Sequence, residues 1–394
     1  MQQNEAFVYN CKQMLEWMPI SGNLCAFSRC DAAKLLTILW QERRQAIWGV
    51  GAVCQGKKMT LPAKSRRGRL GCEWPTVALI LACYGAWAVT GFLLWPSWPI
   101  TTLAILSFTV ALQSSLMHEC LHGHPTRKAL VNEALVGLPI GFVYPYRRFK
   151  ALHLRHHADE RLTDPFEDPE SYYKALWQYR ELPRAVKTLL DINNTMVGRF
   201  VLGPLVMNAA FFVSEAKLVA VGDREVCRAW FLHAAGLAVV LPVVVFGFEM
   251  PLWLYVLVPV WLGQSLISVR TFAEHQWSER PDGRTIIVER SPLALLFLNN
   301  NLHLVHHKRP TVAWYKLPAL YRERRAEWLS MNGGYAYPNY LALLKDFAFR
   351  AKEPVPHPAL RREPQSPRAF RPRARGRSLT GAGTVPVPAR PSKE

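Results

Sequence analysis

The stretch ITTLAILSFTVALQSSLMHECLHGH, residues 100–124, joins a membrane signal to a metal signal. Residues 100–117 carry no charge. A bilayer core about 30 Å thick needs roughly 20 apolar helical residues, so this run reads as a membrane span. His118 and His122 follow at once, four residues apart. That spacing places both rings on one helical face, where two imidazoles converge on a single ion. His124 closes the stretch.

Working outward, TVALILACYGAWAVTGFLLW (76–95) is a second uncharged run, separated from the first by the tight turn Pro96-Ser97-Trp98-Pro99. Together they predict a helical hairpin. Residues 229–248 are apolar between Arg228 and Glu249, and residues 252–269 are apolar up to Arg270. The break at Glu249-Met250-Pro251 makes these a second hairpin. Lys and Arg avoid both turns and flank the other ends, at Arg66, Arg67, Arg69, Arg228 and Arg270. The positive-inside rule then places both termini and residues 118–228 in the cytoplasm. Trp95, Trp98 and Trp253 sit at aromatic-belt depth. Two shorter runs, 134–146 and 200–213, are interrupted by Gly and Pro and read as interfacial or re-entrant segments. The expected fold is an all-α integral membrane protein: four transmembrane helices in two hairpins, with a cytoplasmic helical cap carrying the histidines.

The chain has 394 residues, a net charge of +19 and 50% hydrophobic residues. Its positive charge is concentrated in the flanks and tails, which favours a membrane protein over a nucleic-acid partner. The eight cysteines form no C-x-x-C pair, which argues against a secreted disulfide framework, a zinc ribbon or an iron–sulfur site. Residues 1–58 lack the apolar core of a signal peptide and read as an appendage ahead of Met59. Residues 59–350 form the expected catalytic domain. From about 351 the chain is rich in Pro and Arg and is expected to be disordered.

Ten of the twelve histidines fall in three compact groups and one satellite. Beyond His118, His122 and His124, the groups are His153-Leu154-Arg155-His156-His157 and His303-Leu304-Val305-His306-His307. In both H-x-x-H-H sets, spacings of three and four align two rings while the adjacent histidine points aside, so neighbouring rings can serve different metals. His275 lies just past the last span and can join them. His233, inside a span, reads as a packing residue; His357 carries no functional argument. So many imidazoles exceed the needs of one ion, and a thiolate-free set suits iron oxygen chemistry better than structural zinc. Glu119, Glu274, Asn301 and the acidic run Asp164-Pro165-Phe166-Glu167-Asp168-Pro169-Glu170, with Asp164 and Asp168 foremost, are candidates to orient the imidazoles from behind. Gln264 is an intramembrane polar group, read as a helix–helix hydrogen-bonding residue or a channel-lining one.

This three-box pattern resembles the membrane fatty acid desaturase and hydroxylase superfamily, over about Trp74 to Tyr321. Leu162-Thr163-Asp164-Pro165 and Asn299-Asn300-Asn301-Leu302-His303 look like its bacterial desaturase-like members. The resemblance implies two iron ions, molecular oxygen as co-substrate, a lipid or lipid-like substrate and an external electron donor. It assigns His118, His122, His153, His156, His157, His275, His303, His306 and His307 as metal ligands, with His124 a weaker candidate. The three-residue gap in the first box also occurs in hydroxylases and ketolases, so the reaction is a desaturation or, alternatively, a hydroxylation. With no cysteine cluster and no dinucleotide fingerprint, electrons are expected from a separate ferredoxin- or rubredoxin-type protein. Arg147, Arg148, Lys150, Lys308 and Arg309 would suit an acidic donor. A histidine-rich transporter is the reading from another class; it would put ligands at mid-span, whereas these follow the spans.

Overall fold

A computed structural model describes residues 71–158 and 161–361; the expected appendage at 1–58 and the arginines beyond 361 lie outside the described residues. In chain order the helices that position the site are α1 (Trp74–Leu94), α2 (Pro99–Leu121), α3 (Ala129–Val136), α4 (Tyr146–Ala158), α5 (Met196–Ala220), α6 (Arg224–Gly247), α7 (Leu252–Glu274) and α8 (His303–Lys308). Among the described residues five of them, α1, α2, α5, α6 and α7, are long and apolar enough to cross a membrane. Leu93, Ile100, Phe231 and Phe246 project outward with exposures of 69–84%. Such an apolar jacket is stable against lipid and not against water, so the chain is an integral membrane protein.

Local chemistry sets the helix starts. Pro99 opens α2 in the first turn, where its missing N–H costs nothing. Asp223 caps α6, its carboxylate accepting from the N–H groups of Glu225 and Val226 at 3.0 Å. The two hairpins interlock through glycines. A Cβ on Gly91 of α1 would stand 2.3 Å from the Phe248 ring, and one on Gly263 of α7 would meet Val110 of α2 at 2.6 Å. Only a residue without a side chain permits these approaches. Trp87 then donates to the Tyr255 hydroxyl at 2.8 Å across the hairpins.

The run at 134–146 forms no helix long enough to cross a membrane. After α3 the chain is irregular and passes among the helices, with Ile140 fully buried. Its carbonyls find donors there: Tyr84 to Leu138 O (3.0 Å), Tyr255 to Ile140 O (2.9 Å) and His233 to Phe142 O (2.7 Å). Non-helical backbone survives at membrane depth only when it is satisfied in this way. His233 is therefore a structural donor.

The run at 200–213 is longer than expected. It lies inside the 25-residue helix α5, capped by Thr195. By length and composition it is a fifth helix that could cross a membrane, where the sequence suggested four spans. Its contacts keep the histidine side consistent. Arg199 near its start stacks on Phe272 at the end of α7, and Glu215 near its end pairs with Arg148 of α4. Both ends thus meet the elements that carry histidines. In between, Asn208 donates to Gln264 of α7 at 2.7 Å, which makes Gln264 a helix–helix partner.

The cap combines short helices and turns with a two-residue parallel pairing of Ile287–Val288 with Ala336–Tyr337. Leu304 N donates to Ile286 O (3.1 Å) and Val288 N to Asn301 O (2.8 Å), so this pairing seats α8. Order also extends beyond 350. His357 N donates to Lys174 O (2.7 Å), Lys174 N to Val355 O (2.9 Å), and Val355 and His357 are buried. A segment poor in apolar residues is ordered here by borrowing backbone partners, which composition does not register.

Candidate metal centre

Nine histidines meet where α2, α4, α7 and α8 converge, and they sort into two groups. His118, His122, His153, His157 and His306 form one; His156, His275, His303 and His307 form the other. The sorting follows helical geometry. Pairs four apart (118/122, 153/157, 303/307) stay together, separated by about 40° around the axis, whereas pairs three apart (153/156, 303/306) split. Adjacent residues face different centres, as expected. The His157 and His307 rings stack at 4.1 Å and bridge the two groups.

The inward atoms are the Nε2 nitrogens. His156 and His275 approach at 3.1 Å, His303 and His275 at 3.0 Å, His303 and His307 at 3.1 Å, and His157 and His306 at 3.1 Å. Nε2 of His118, His122 and His153 is buried without a hydrogen-bond partner. Nitrogens bound to one ion at about 2.1 Å and at right angles stand about 3 Å apart. The spacing and the orphaned lone pairs therefore fit two metal ions.

Protonation agrees. Burial, reinforced by the neighbouring rings, holds His122 down at about 2. Burial and His156 lower His275 to about 3, although Asp168 and Glu170 oppose them. His157, His303, His306 and His307 are pushed down by burial and by neighbouring rings, and His153 by burial against the pull of Glu170. Neutral imidazoles are what a metal requires. His156 is the exception: burial would lower it, but Asp168 and Glu170 outweigh that and raise it to about 9.

The outward nitrogens are anchored, which fixes each ring. His156 Nδ1 pairs with Asp168 (2.7 Å), His153 Nδ1 with Glu170 (2.6 Å), and His303 Nδ1 with Asn300 Oδ1 (3.0 Å). His275 Nδ1 lies 3.3 Å from Arg284 O. Asp168 thus meets a ring directly, and Glu274 lies 3.4 Å from His303 Nδ1 and 2.8 Å from Arg270 Nε. Four expectations shift, for Asp164, Asn301, His124 and Glu119. Within the acidic run Asp164 caps a turn, accepting from Phe166 N (2.8 Å), while Asp168 and Glu170 meet the rings. Asn301 donates to Val288 O, while its neighbour Asn300 reaches the ring. His124 belongs to neither centre: its Nδ1 pairs with Glu73 at 2.7 Å, and Glu119 lies 3.9 Å from its Nε2 while accepting from Trp314 N. The turn at Gly123 carries His124 off the helical face of His118 and His122.

Two residues had no sequence signal. Lys352 donates to Phe272 O and His275 O, both at 2.6 Å, and Glu353 accepts from Trp277 N at 3.1 Å. They clamp the end of α7 and so position His275. Of the five basic residues expected to meet an electron donor, Arg147, Arg148 and Lys308 are already paired with Glu133, Glu215 and Asp282.

A cavity of about 310 Å³ runs from this constellation between α2, α5 and α7. Its wall includes His153 of one centre, His275 of the other, Glu274 between them, and Met117, Phe142 and Phe211 further out. The buried arginines Arg199 and Arg270 also line it.

Comparison with curated proteins finds no match. A model of one family, fatty acid desaturase, matches residues 93–339. That interval opens within α1 and contains all nine converging histidines, so the chain belongs to the fatty acid desaturase family.

Proposed function

We propose that this oxidoreductase holds two iron ions, consumes molecular oxygen and introduces a double bond into an acyl chain or related lipid-like substrate. The observation that carries the reading is the cavity, whose mainly apolar wall touches one histidine of each centre. Bound iron would supply the oxidant needed for an unactivated C–H bond. In balance, one O2, two electrons and two protons join the two hydrogens taken from the substrate and leave as two waters. The protein's own work is positioning. Asp168, Glu170 and Asn300 hold the rings, α2 and α7 hold the substrate's carbons beside them, and the apolar wall excludes water. Electrons come from a separate ferredoxin- or rubredoxin-type donor, and the enzyme sits in a bacterial inner membrane with its histidines facing the cytoplasm.

A hydroxylase on the same scaffold differs only in where the substrate carbon rests, and a displacement of about 1 Å decides such outcomes. Metal analysis of purified protein is expected to give two irons per chain; one zinc and no iron would overturn the reading. Extracts of expressing cells supplied with a ferredoxin system are expected to contain a product two hydrogens lighter than its precursor. A product one oxygen heavier assigns the hydroxylase instead.

A further inference from the structure

The cavity wall carries Arg199 and Arg270 as well as the carboxylates Asp168, Glu170 and Glu274, of which Asp168 and Glu170 are engaged by His156 and His153. Arg270 lies within α7 and its side chain is 7% exposed. Its Nε stands 2.8 Å from Glu274 Oε1, yet neither Nε nor Nη1 completes a hydrogen bond. Glu274 is also shared with Asn300 and His303, so one carboxylate cannot satisfy the five N–H donors of the guanidinium. Arg199, in α5, is 4% exposed. It donates to the Asn193 carbonyl at 3.0 Å and lies 5.1 Å over the Tyr172 ring; among the described residues no carboxylate pairs with it. Buried donors left open are costly, more so when charged. An ionisable residue inside a membrane helix and facing a cavity marks a ligand path.

We infer that the cavity takes a small amphiphile bearing an oxyanion, held by the donors of Arg270 that Glu274 leaves open, with Arg199 also in the wall, and that its carbons occupy the apolar remainder. The inference rests on the reading of this cavity as the substrate site. A guanidinium fork in a dry pocket matches a carboxylate or phosphate far better than a hydroxyl or an ester. The position also limits the substrate. Glu274 touches both Arg270 and the His303 ring, so the anion binds one side chain away from a metal ligand. The carbon to be oxidised therefore lies within a few bonds of the anionic group, and a chain whose charged end stays at the membrane surface does not fit. A volume of about 310 Å³ is at the lower end for small-molecule sites.

The test uses the full chain in lipid nanodiscs, loaded with ferrous iron and kept anaerobic so that nothing turns over. Hexanoate and hexan-1-ol, equal in carbon number, are titrated calorimetrically. Wild type is expected to bind hexanoate at least tenfold tighter. Arg270→Gln should lose that preference with iron content unchanged, and Arg270→Lys should restore part of it. Equal binding of the two probes, no binding of either, or an undiminished preference in Arg270→Gln overturns the inference. So does loss of iron in both variants, which would make Arg270 a support of the metal centre only. Iron content of the wild type reads the oxygenase proposal separately.

Discussion

The five-histidine and four-histidine centres use the same side chain but are held differently. The first is framed by α2 and α4, each giving two rings four residues apart, with His306 added from α8. The second takes single rings from the end of α4 and the end of α7, and a pair from α8. His275, its ring beyond α7, is extended in backbone and is placed by the Lys352 clamp and the Arg284 carbonyl. One centre thus inherits its geometry from helix periodicity, and the other depends on the cap. The comparison teaches that equal ligand chemistry does not imply equal sensitivity to change at a distance.

The largest effect expected comes from removing a ligand. His157→Ala should empty the five-histidine centre and His307→Ala the four-histidine one, each lowering metal content from two to about one ion while activity falls to background. Metal analysis beside an oxygen-consumption assay reads both. Retention of two ions in either variant would break the assignment of that ring.

The anchoring carboxylates should separate the centres more finely. Asp168→Asn is expected to weaken the four-histidine centre, and Glu170→Gln the five-histidine centre, by about 10–100-fold in metal affinity. Competition with a chelator measures this. Equal loss from both centres in each variant would mean that the two sites fold as one unit.

A distant change should reach only one centre. Lys352→Met removes the donors to Phe272 O and His275 O and is expected to cost about 1–3 kcal/mol. Occupancy of the four-histidine centre should fall while that of the other holds. Unchanged occupancy would show that α7 ends correctly without the clamp.

The smallest effect concerns the segment that carries this clamp. His357 accepts from Ala359 N through Nδ1, and its Nε2 lies 3.3 Å from Thr163 Oγ1, an arrangement that suits the neutral ring. Burial lowers it to about 4, against a partial pull from Asp164. An unfolded histidine titrates near 6.5, so as pH falls from about 6.5 to 4 the unfolded state takes up the proton first and stability is lost. Wild type should lose more stability than His357→Gln over that window. Thermal melts at the two pH values check it; equal acid sensitivity would place the titrating group elsewhere.

Most of this site could be read from sequence because its logic is local. Uncharged runs of span length and rings at spacings of three and four are properties of neighbouring residues. The five-residue block around His153 already contained the division between centres. Asp164 and Asp168 were indistinguishable as letters, since only the course of the turn decides which carboxylate meets a ring. Asn300 and Asn301 differ by one position, and the backbone at Leu298 and Asn299, with φ of 49° and 56°, sets which of them faces His303.

Sequence by itself determined the membrane-embedded helical class, the two hairpins and the nine histidines, because hydrophobic length and helical period are set one segment at a time. Tertiary structure alone decided the fifth long helix and its contacts, the sorting of rings into five and four, the exclusion of His124, the clamp from Lys352 and Glu353, and the buried arginines in the cavity. Each of these depends on groups far apart in the chain meeting at hydrogen-bond distance, and no local pattern records such a meeting.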